Sequence, residues 1–222
     1  MYVRTTSEQV PRALGSFGIR SDGYPIVSLN EYTYRKGTEI FGEKEPAEFV
    51  YQVKIGAVRS YKLLSDGRRQ IGAFHLVGDI FGLTRDQHRF TAEAIVDTTL
   101  RLIRRSSLEL FASKDPLVAG NLLNMTTKNL QHAEDHMLLL GRKNALEKVA
   151  AFLAEMDKRM IAGQSVSLPM TRRDIGDYLG LTIESVSRAL SKLRAAGVLK
   201  FLDQTQREIV IIDRQLLARF DT

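Results

Sequence analysis

The segment Leu168–Gly197 constrains the fold more tightly than any other part of the chain. Thr171 is a good helix N-cap, and Asp174, three residues on, can return a hydrogen bond to it, so a short helix should start here and run through Leu179. Gly180 supplies a tight turn. Thr182 then caps a second helix whose apolar residues Val186, Leu190 and Leu193 recur at i, i+4 and i+7, while Glu184, Ser185, Ser187, Arg188 and Lys192 fall on other faces. Gly197 ends that helix. Beyond it Val198–Leu202 and Arg207–Ile212, joined through Asp203-Gln-Thr-Gln, read as a β-hairpin. Helix, glycine turn, helix and hairpin in this order predict a winged helix-turn-helix. The polar N-terminal half of the second helix is what a recognition helix needs to place side chains on base edges in the major groove of double-stranded DNA.

The rest of the chain divides by pattern. Residues 1–24 mix Ser, Thr, Gly, Pro and Arg without apolar periodicity and read as a loosely ordered arm. From 25 to 112 short runs rich in β-branched and aromatic residues, among them Ile26–Leu29, Phe49–Val53, Ala57–Tyr61 and Leu100–Ile103, alternate with turn signals such as Asp66-Gly67 and Gly78-Asp79. That spacing predicts an all-β roll or barrel. After Lys114-Asp115-Pro116 the pattern becomes helical. Ala119, Leu123, Thr126, Leu130, Ala133, Met137 and Leu140 alternate spacings of four and three, which keeps one seam facing a partner helix. Such a seam also suits a helix lying on its own core. Asn124, Lys128, Gln131, Glu134 and Asp135 narrow the apolar stripe, and this favours pairing between two copies. Gly141 is expected to break the helix, and Asn144–Met160 to form another with Leu146, Val149, Phe152, Leu153 and Met156 inward.

Charge and composition narrow the function classes. The net charge of +6 fits a polyanionic partner, and its larger share, +4, falls within 141–222 against +2 for 1–140. There is no cysteine, which excludes a disulfide framework, a thiolate zinc site and a cysteine-held iron–sulfur cluster. The N-terminal residues lack a signal peptide's apolar core, and no apolar run approaches the roughly 18 residues of a membrane span, so the expectation is a cytoplasmic protein with no membrane partner. No phosphate-binding glycine loop, zinc-protease motif or nucleophile elbow is present, and no catalytic residue is assigned.

From residue 25 onward the chain resembles the CRP/FNR superfamily of transcription regulators. Tyr51-x-Val53-x-x-Gly56-x-Val58, Asp66-Gly67-Arg68 and Gly78-Asp79-x-Phe81-Gly82 are similar to its cyclic-nucleotide-binding-type β-roll, and the helix that follows is similar to its dimerisation helix. Asp174-Ile-Gly-Asp-Tyr-Leu-Gly-Leu-Thr182 followed by Glu184-x-x-Ser187-Arg188 resembles the FNR/FixK-like branch, which implies recognition of TTGAT-type inverted repeats by a homodimer that recruits RNA polymerase as an activator. The side chains suit that role. Arginine can donate twice to guanine O6 and N7, glutamate can accept from cytosine N4, and serine can serve a base or a phosphate.

The β-roll departs from cyclic-AMP-binding relatives. Leu83 stands where they carry the glutamate that meets the ribose, and Phe90 follows Arg89 where they carry serine. A buried sugar would lose a hydrogen bond at a cost of about 1–3 kcal/mol, so no cyclic nucleotide is expected. His132 and His136, at i, i+4, have a metal-ligand spacing but read as solvated, and His75 and His88 read as structural. No metal or other cofactor is assigned.

The expected architecture is α+β: an arm (1–24), a β-roll (25–112), a long dimerisation helix (113–141) and a C-terminal winged helix-turn-helix (142–222). Glu184, Ser187 and Arg188 are the expected base contacts, and Thr171, Arg172, Arg173, Thr182, Ser185 and Lys192 the expected backbone contacts. Leu123, Thr126, Leu130, Ala133, Met137 and Leu140 are the expected dimer seam. Two other readings fit the same fold: a regulator gated by haem, nitric oxide or a metabolite, and a cyclic-nucleotide receptor whose C-terminal part binds protein.

Overall fold

The structure, a computed structural model, describes residues 30–142, 144–160, 166–203 and 207–220. The arm expected over 1–24, the strand expected at Ile26–Leu29 and the wing tip at 204–206 lie outside the described residues. The chain forms two compact units, one running to Lys62 and resuming over Ala73–His132, the other made of Leu63–Gly72 and the chain from Ala133 on.

Among the described residues eight strands build the β-roll: β1 Asn30–Tyr34, β2 Glu39–Phe41, β3 Phe49–Ile55, β4 Val58–Leu63, β5 Arg69–His75, β6 Ile80–Phe81, β7 Thr91–Ala94 and β8 Thr98–Arg104. They lie in two four-stranded sheets, ordered β1-β8-β3-β6 and β2-β7-β4-β5. Alternate residues of the first sheet (Tyr34, Tyr51, Val53, Phe81, Leu100, Leu102) meet Phe41, Val58, Ala92 and Ala94 of the second in one core, as the two-residue period of a strand requires. The runs expected at Phe49–Val53, Ala57–Tyr61 and Leu100–Ile103 are β3, β4 and β8.

Two helices follow β8. The sequence suggested one starting near 113, but α1 Arg105–Lys114 precedes α2 Pro116–Arg142. The break has a local cause. Pro116 has no N–H to offer and suits the first helical position, while the Asp115 carboxylate accepts from the Leu117 N–H at 2.8 Å. At its other end α2 runs through Gly141, where a break was expected, to Arg142.

Helix α2 has two apolar faces. Val118, with Leu122 and Met125, packs on Val50, Ile80, Ile103 and Leu108 of the roll and α1. Another face presents Leu123, Leu130 and Met137 at 68%, 58% and 66% exposure, and Ala119, Thr126 and Ala133 are exposed with them. Leu140 differs from the rest of that seam: it is half-buried, and a Cβ added to Gly180 would lie 3.9 Å from it.

The C-terminal elements are α3 Ala145–Arg159, β9 Val166–Ser167, α4 Arg172–Leu179, α5 Ile183–Ala195, β10 Leu199–Phe201, β11 Glu208–Ile211 and α6 Arg214–Arg219. The expected hairpin is β10 paired antiparallel with β11, and the two-residue β9 adds a third strand on the far side of β11. Val149, Phe152, Leu153 and Met156 of α3 are buried, as are Val186, Leu190 and Leu193 of α5, and the two helices contact each other. Arg214 pairs with Asp157 at 2.6 Å and ties α6 to α3. No helix among the described residues is long and apolar enough to cross a membrane.

Candidate nucleic-acid interface

Local sequence fixes the two helices that form the site. At the start of α4 the Thr171 hydroxyl accepts from the Asp174 N–H at 3.2 Å, and the Asp174 carboxylate accepts from the Thr171 N–H at 2.9 Å, so both orphan donors are satisfied reciprocally. Gly180 ends α4 in the left-handed region at φ 65°. Thr182 caps α5 by accepting from the Ser185 N–H at 3.2 Å. Between the helices the chain passes very close to α4. The Leu181 N–H donates to the Gly176 carbonyl at 2.9 Å, and a Cβ on Gly176 would lie 2.6 Å from the Leu181 oxygen. Only glycine permits this approach.

Burying Val186, Leu190 and Leu193 rolls α5 so that its polar residues face outward. Glu184, Arg188 and Lys192 are exposed, and Ser185 and Ser187 are half-buried. The Glu184 carboxyl is held below the usual carboxylate range, chiefly by its own backbone N–H, with help from the Thr182 hydroxyl and the Arg188 charge. It is therefore an ionised acceptor at neutral pH. Arg188 Nη2 donates to the Ser185 hydroxyl at 3.3 Å. Three expected base contacts thus share one helix, with opposite charges one turn apart.

The expected backbone contacts divide into two groups. Arg173 and Lys192 are exposed cations. Thr171 and Thr182 cap helix N-termini, with Ser185 in the first turn of α5. Arg172 is engaged inward: Nη1 donates to the Ser187 hydroxyl at 3.0 Å, and its guanidinium lies 5.9 Å from the ring centroid of Phe201 on β10. Arg194 lies 5.7 Å from the same ring centroid.

Sequence reasoning missed the residues that grip α4 from a distance. Asp174 is almost fully buried, and an isolated buried carboxylate would be costly. Arg69, in the Leu63–Gly72 segment of the same compact unit, donates to Asp174 at 2.6 Å and through Nε to Asp177 at 2.9 Å. The other end of α4 is held by donors to its last carbonyls. His136 Nε2 donates to the Tyr178 carbonyl at 2.9 Å and Lys148 to that of Leu179 at 3.4 Å. His136, read from sequence as solvated, also stacks on the Tyr178 ring at 3.9 Å between centroids. No local pattern marks Arg69 or His136, because each meets α4 only through the folded chain.

In the β-roll, Leu83 packs against the Val50, Ile80, Ile103, Leu108 and Val118 cluster. His88 is buried, stacked on Phe41 at 3.5 Å, and burial pulls its pKa below the usual imidazole value. His75 Nε2 lies 2.8 Å from the Ser60 hydroxyl, and its ring stacks on Phe81.

Comparison with known proteins agrees with this geometry. Residues 31–115 match the cyclic nucleotide-binding domain, and residues 147–220 match the Crp-like helix-turn-helix domain. The chain is 43% identical to the nitrogen fixation regulation protein FixK of Azorhizobium caulinodans over 195 residues, which cover 85% of this chain and 78% of that protein. It is 41% identical to the FixK of Rhizobium meliloti over 179 residues, covering 80% and 82% respectively. The structure of FixK2 from Bradyrhizobium japonicum superposes with a TM-score of 0.85 and 60% identity over 88% of this chain and 98% of that one. Relatives this similar, over most of their own length, share both the β-roll and the helix pair, so the chain belongs to the FixK-like branch of the CRP/FNR family and is a DNA-binding transcription regulator, not an enzyme.

Proposed function

We propose that the protein acts in the cytoplasm as a homodimer that binds a TTGAT-type inverted repeat, one α5 per half-site, and activates transcription by recruiting RNA polymerase. The observation that carries this reading is the outward face of α5, where the exposed Glu184 and Arg188 stand opposite the buried Val186, Leu190 and Leu193, with the half-buried Ser187 on its flank. Arg188 has the reach and donor pattern for guanine, and the ionised Glu184 can accept from a cytosine amino group. Arg173 and Lys192 meet the phosphates on either side. Thr171 and Thr182 direct helix N-termini, with their free N–H groups, toward the backbone, and the Ser185 hydroxyl joins them there. Leu123, Thr126, Leu130, Ala133 and Met137 pair with the same residues of a second copy, and Leu140 ends the seam beside the turn of the reading helices.

Arg188→Ala tests the assignment. The expected loss is about 1–3 kcal/mol per half-site, with relaxed selection at one guanine position. Arg173→Ala should instead weaken all sequences alike and lower the salt slope by about one per half-site. Affinities for the palindrome and its single-base variants, at several salt concentrations, separate the two. Undiminished selection for guanine in Arg188→Ala would overturn the role given to that residue.

The dimer is also expected to bind without a cyclic nucleotide. Leu83 offers the ribose no acceptor and already belongs to an apolar cluster. A ligand shifts an equilibrium only by its differential affinity for the two states, so cyclic AMP should have little leverage here. Affinity for the palindrome at fixed salt should be unchanged by the nucleotide. A tenfold gain, equal to about 1.4 kcal/mol of coupling, would restore the β-roll as a nucleotide sensor.

A further inference from the structure

Ser187, like its neighbour Ser185, differs from the threonines of α2. In α2 the Thr126 and Thr127 hydroxyls donate to the carbonyls of Leu122 and Leu123 at 2.9 and 3.0 Å, the usual outlet for a hydroxyl proton inside a helix. The Ser187 hydroxyl has one hydrogen bond among the described residues, and there it accepts, from Arg172 Nη1 at 3.0 Å. A hydroxyl has one proton and two lone pairs, and a guanidinium has donors only, so Arg172 occupies a lone pair and cannot take the proton. That proton is left for a ligand. The adjacent cation also favours an electron-rich atom opposite Ser187 and disfavours the positive end of an amino group.

The arginine is itself held by the wing. Its guanidinium lies 5.9 Å from the Phe201 ring centroid, and Arg194 lies 5.7 Å from the same point, so β10 supplies one π surface to two cations. Arg172 begins α4, Ser187 lies mid-way along α5 and Phe201 is on β10. A single chain of contacts therefore joins the three parts of the winged helix.

We infer that Arg172 is a specificity-determining residue: by accepting nothing and donating to Ser187, it makes that hydroxyl a donor that selects acceptor atoms on base edges, and Phe201 positions it. The inference rests on the proposed reading in which Ser187 faces a base. Its ligand class is then definite: guanine O6 or N7, adenine N7 or thymine O4, in preference to the amino groups of cytosine and adenine.

Sequence-resolved selection with the full-length dimer tests this, followed by affinities for the best palindrome and its single-base variants at several salt concentrations. Arg172→Met and Ser187→Ala should each lose about five- to tenfold selectivity at the same base position, and the double variant should lose no more than either alone. Arg172→Lys, which keeps a cationic donor, should retain part of that selectivity. Phe201→Leu should lose about two- to fivefold at the same position. The salt slope should stay close to that of the unaltered protein throughout. Uniform weakening by Arg172→Met, with a salt slope lower by about one per half-site and losses that add to those of Ser187→Ala, would overturn the inference and make Arg172 a phosphate contact. If the unaltered protein prefers no palindrome, the underlying reading of α5 fails instead, so the two failures are distinguishable.

Discussion

Leu130→Glu is expected to leave the protein monomeric and to remove most of its affinity for a palindromic site. Leu130 is 58% exposed on α2 in the single chain, midway between Leu123 and Met137. Burying such a side chain against its counterpart contributes about 1.5–3 kcal/mol, and in the proposed dimer two copies would meet at a two-fold seam. The substitution removes both contributions and places two like charges there, each costing several kcal/mol to desolvate without an opposite partner. Together these approach the roughly 12 kcal/mol that holds a nanomolar dimer. DNA binding falls with dimerisation because the second half-site is then no longer reached at high effective concentration, an advantage on the order of 10²–10⁴. Light scattering gives the oligomeric state and a gel shift gives the affinity. A Leu130→Glu protein that stayed dimeric at micromolar concentration would place the interface elsewhere.

Gly176→Val should strongly destabilise the DNA-reading unit and impair DNA binding. Two effects oppose each other at this position. A helical glycine is less favourable than alanine by about 0.5–1 kcal/mol, so adding a side chain would ordinarily help. Here the first carbon of any side chain would lie 2.6 Å from the Leu181 carbonyl oxygen, which is backbone and tied to Gly176 by its own N–H. Overpacking costs about 1–3 kcal/mol even where flexible side chains can give way, and a β-branched residue against rigid backbone lies at or above the upper end. The clash wins. At about 4–8 °C per kcal/mol for a unit of this size, a drop of roughly 10 °C or more in its melting transition is expected, with DNA binding lost. Alanine should produce a smaller change of the same sign. Unchanged melting and binding in the valine variant would mean that the approach of Leu181 to α4 can relax at little cost.

The winged helix was legible because its determinants are local. Thr171 with Asp174, Gly180, Thr182 and the Val186, Leu190, Leu193 stripe each act within one or two helical turns, and all appear in the structure. The same holds for β3, β4 and β8, which are long enough to show their composition. Strands of two to four residues, such as β2, β6, β7 and β9, are too short to display a period, and they exist because longer neighbours offer them an edge. Helix α1 was missed because it buries only Leu108 and so carries no stripe. The extension of α2 through Gly141 shows that one glycine weakens a helix without ending it. At the site, the positions of Glu184, Ser187 and Arg188 on α5 followed from periodicity, whereas the turn of Arg172 toward Ser187, fifteen residues along the chain, depends on how α4 crosses α5. Leu140 has the right spacing for the seam, but its half-buried place beside Gly180 depends on where the turn is packed.

The grip of Arg69 on α4 makes the DNA-reading unit discontinuous in the chain. Its arginine and the Asp174 carboxylate it meets are 105 residues apart, and the intervening polypeptide includes most of β5, all of β6–β8 and the helices α1–α3. During synthesis the arginine leaves the ribosome long before its carboxylates exist. Closing so long a loop is entropically unfavourable until the residues between have folded and brought its ends near each other. The roll and the long helix are therefore expected to form before the contact between Arg69 and α4 closes. That expected order follows from where Arg69 and its two carboxylates, Asp174 and Asp177, stand in the chain.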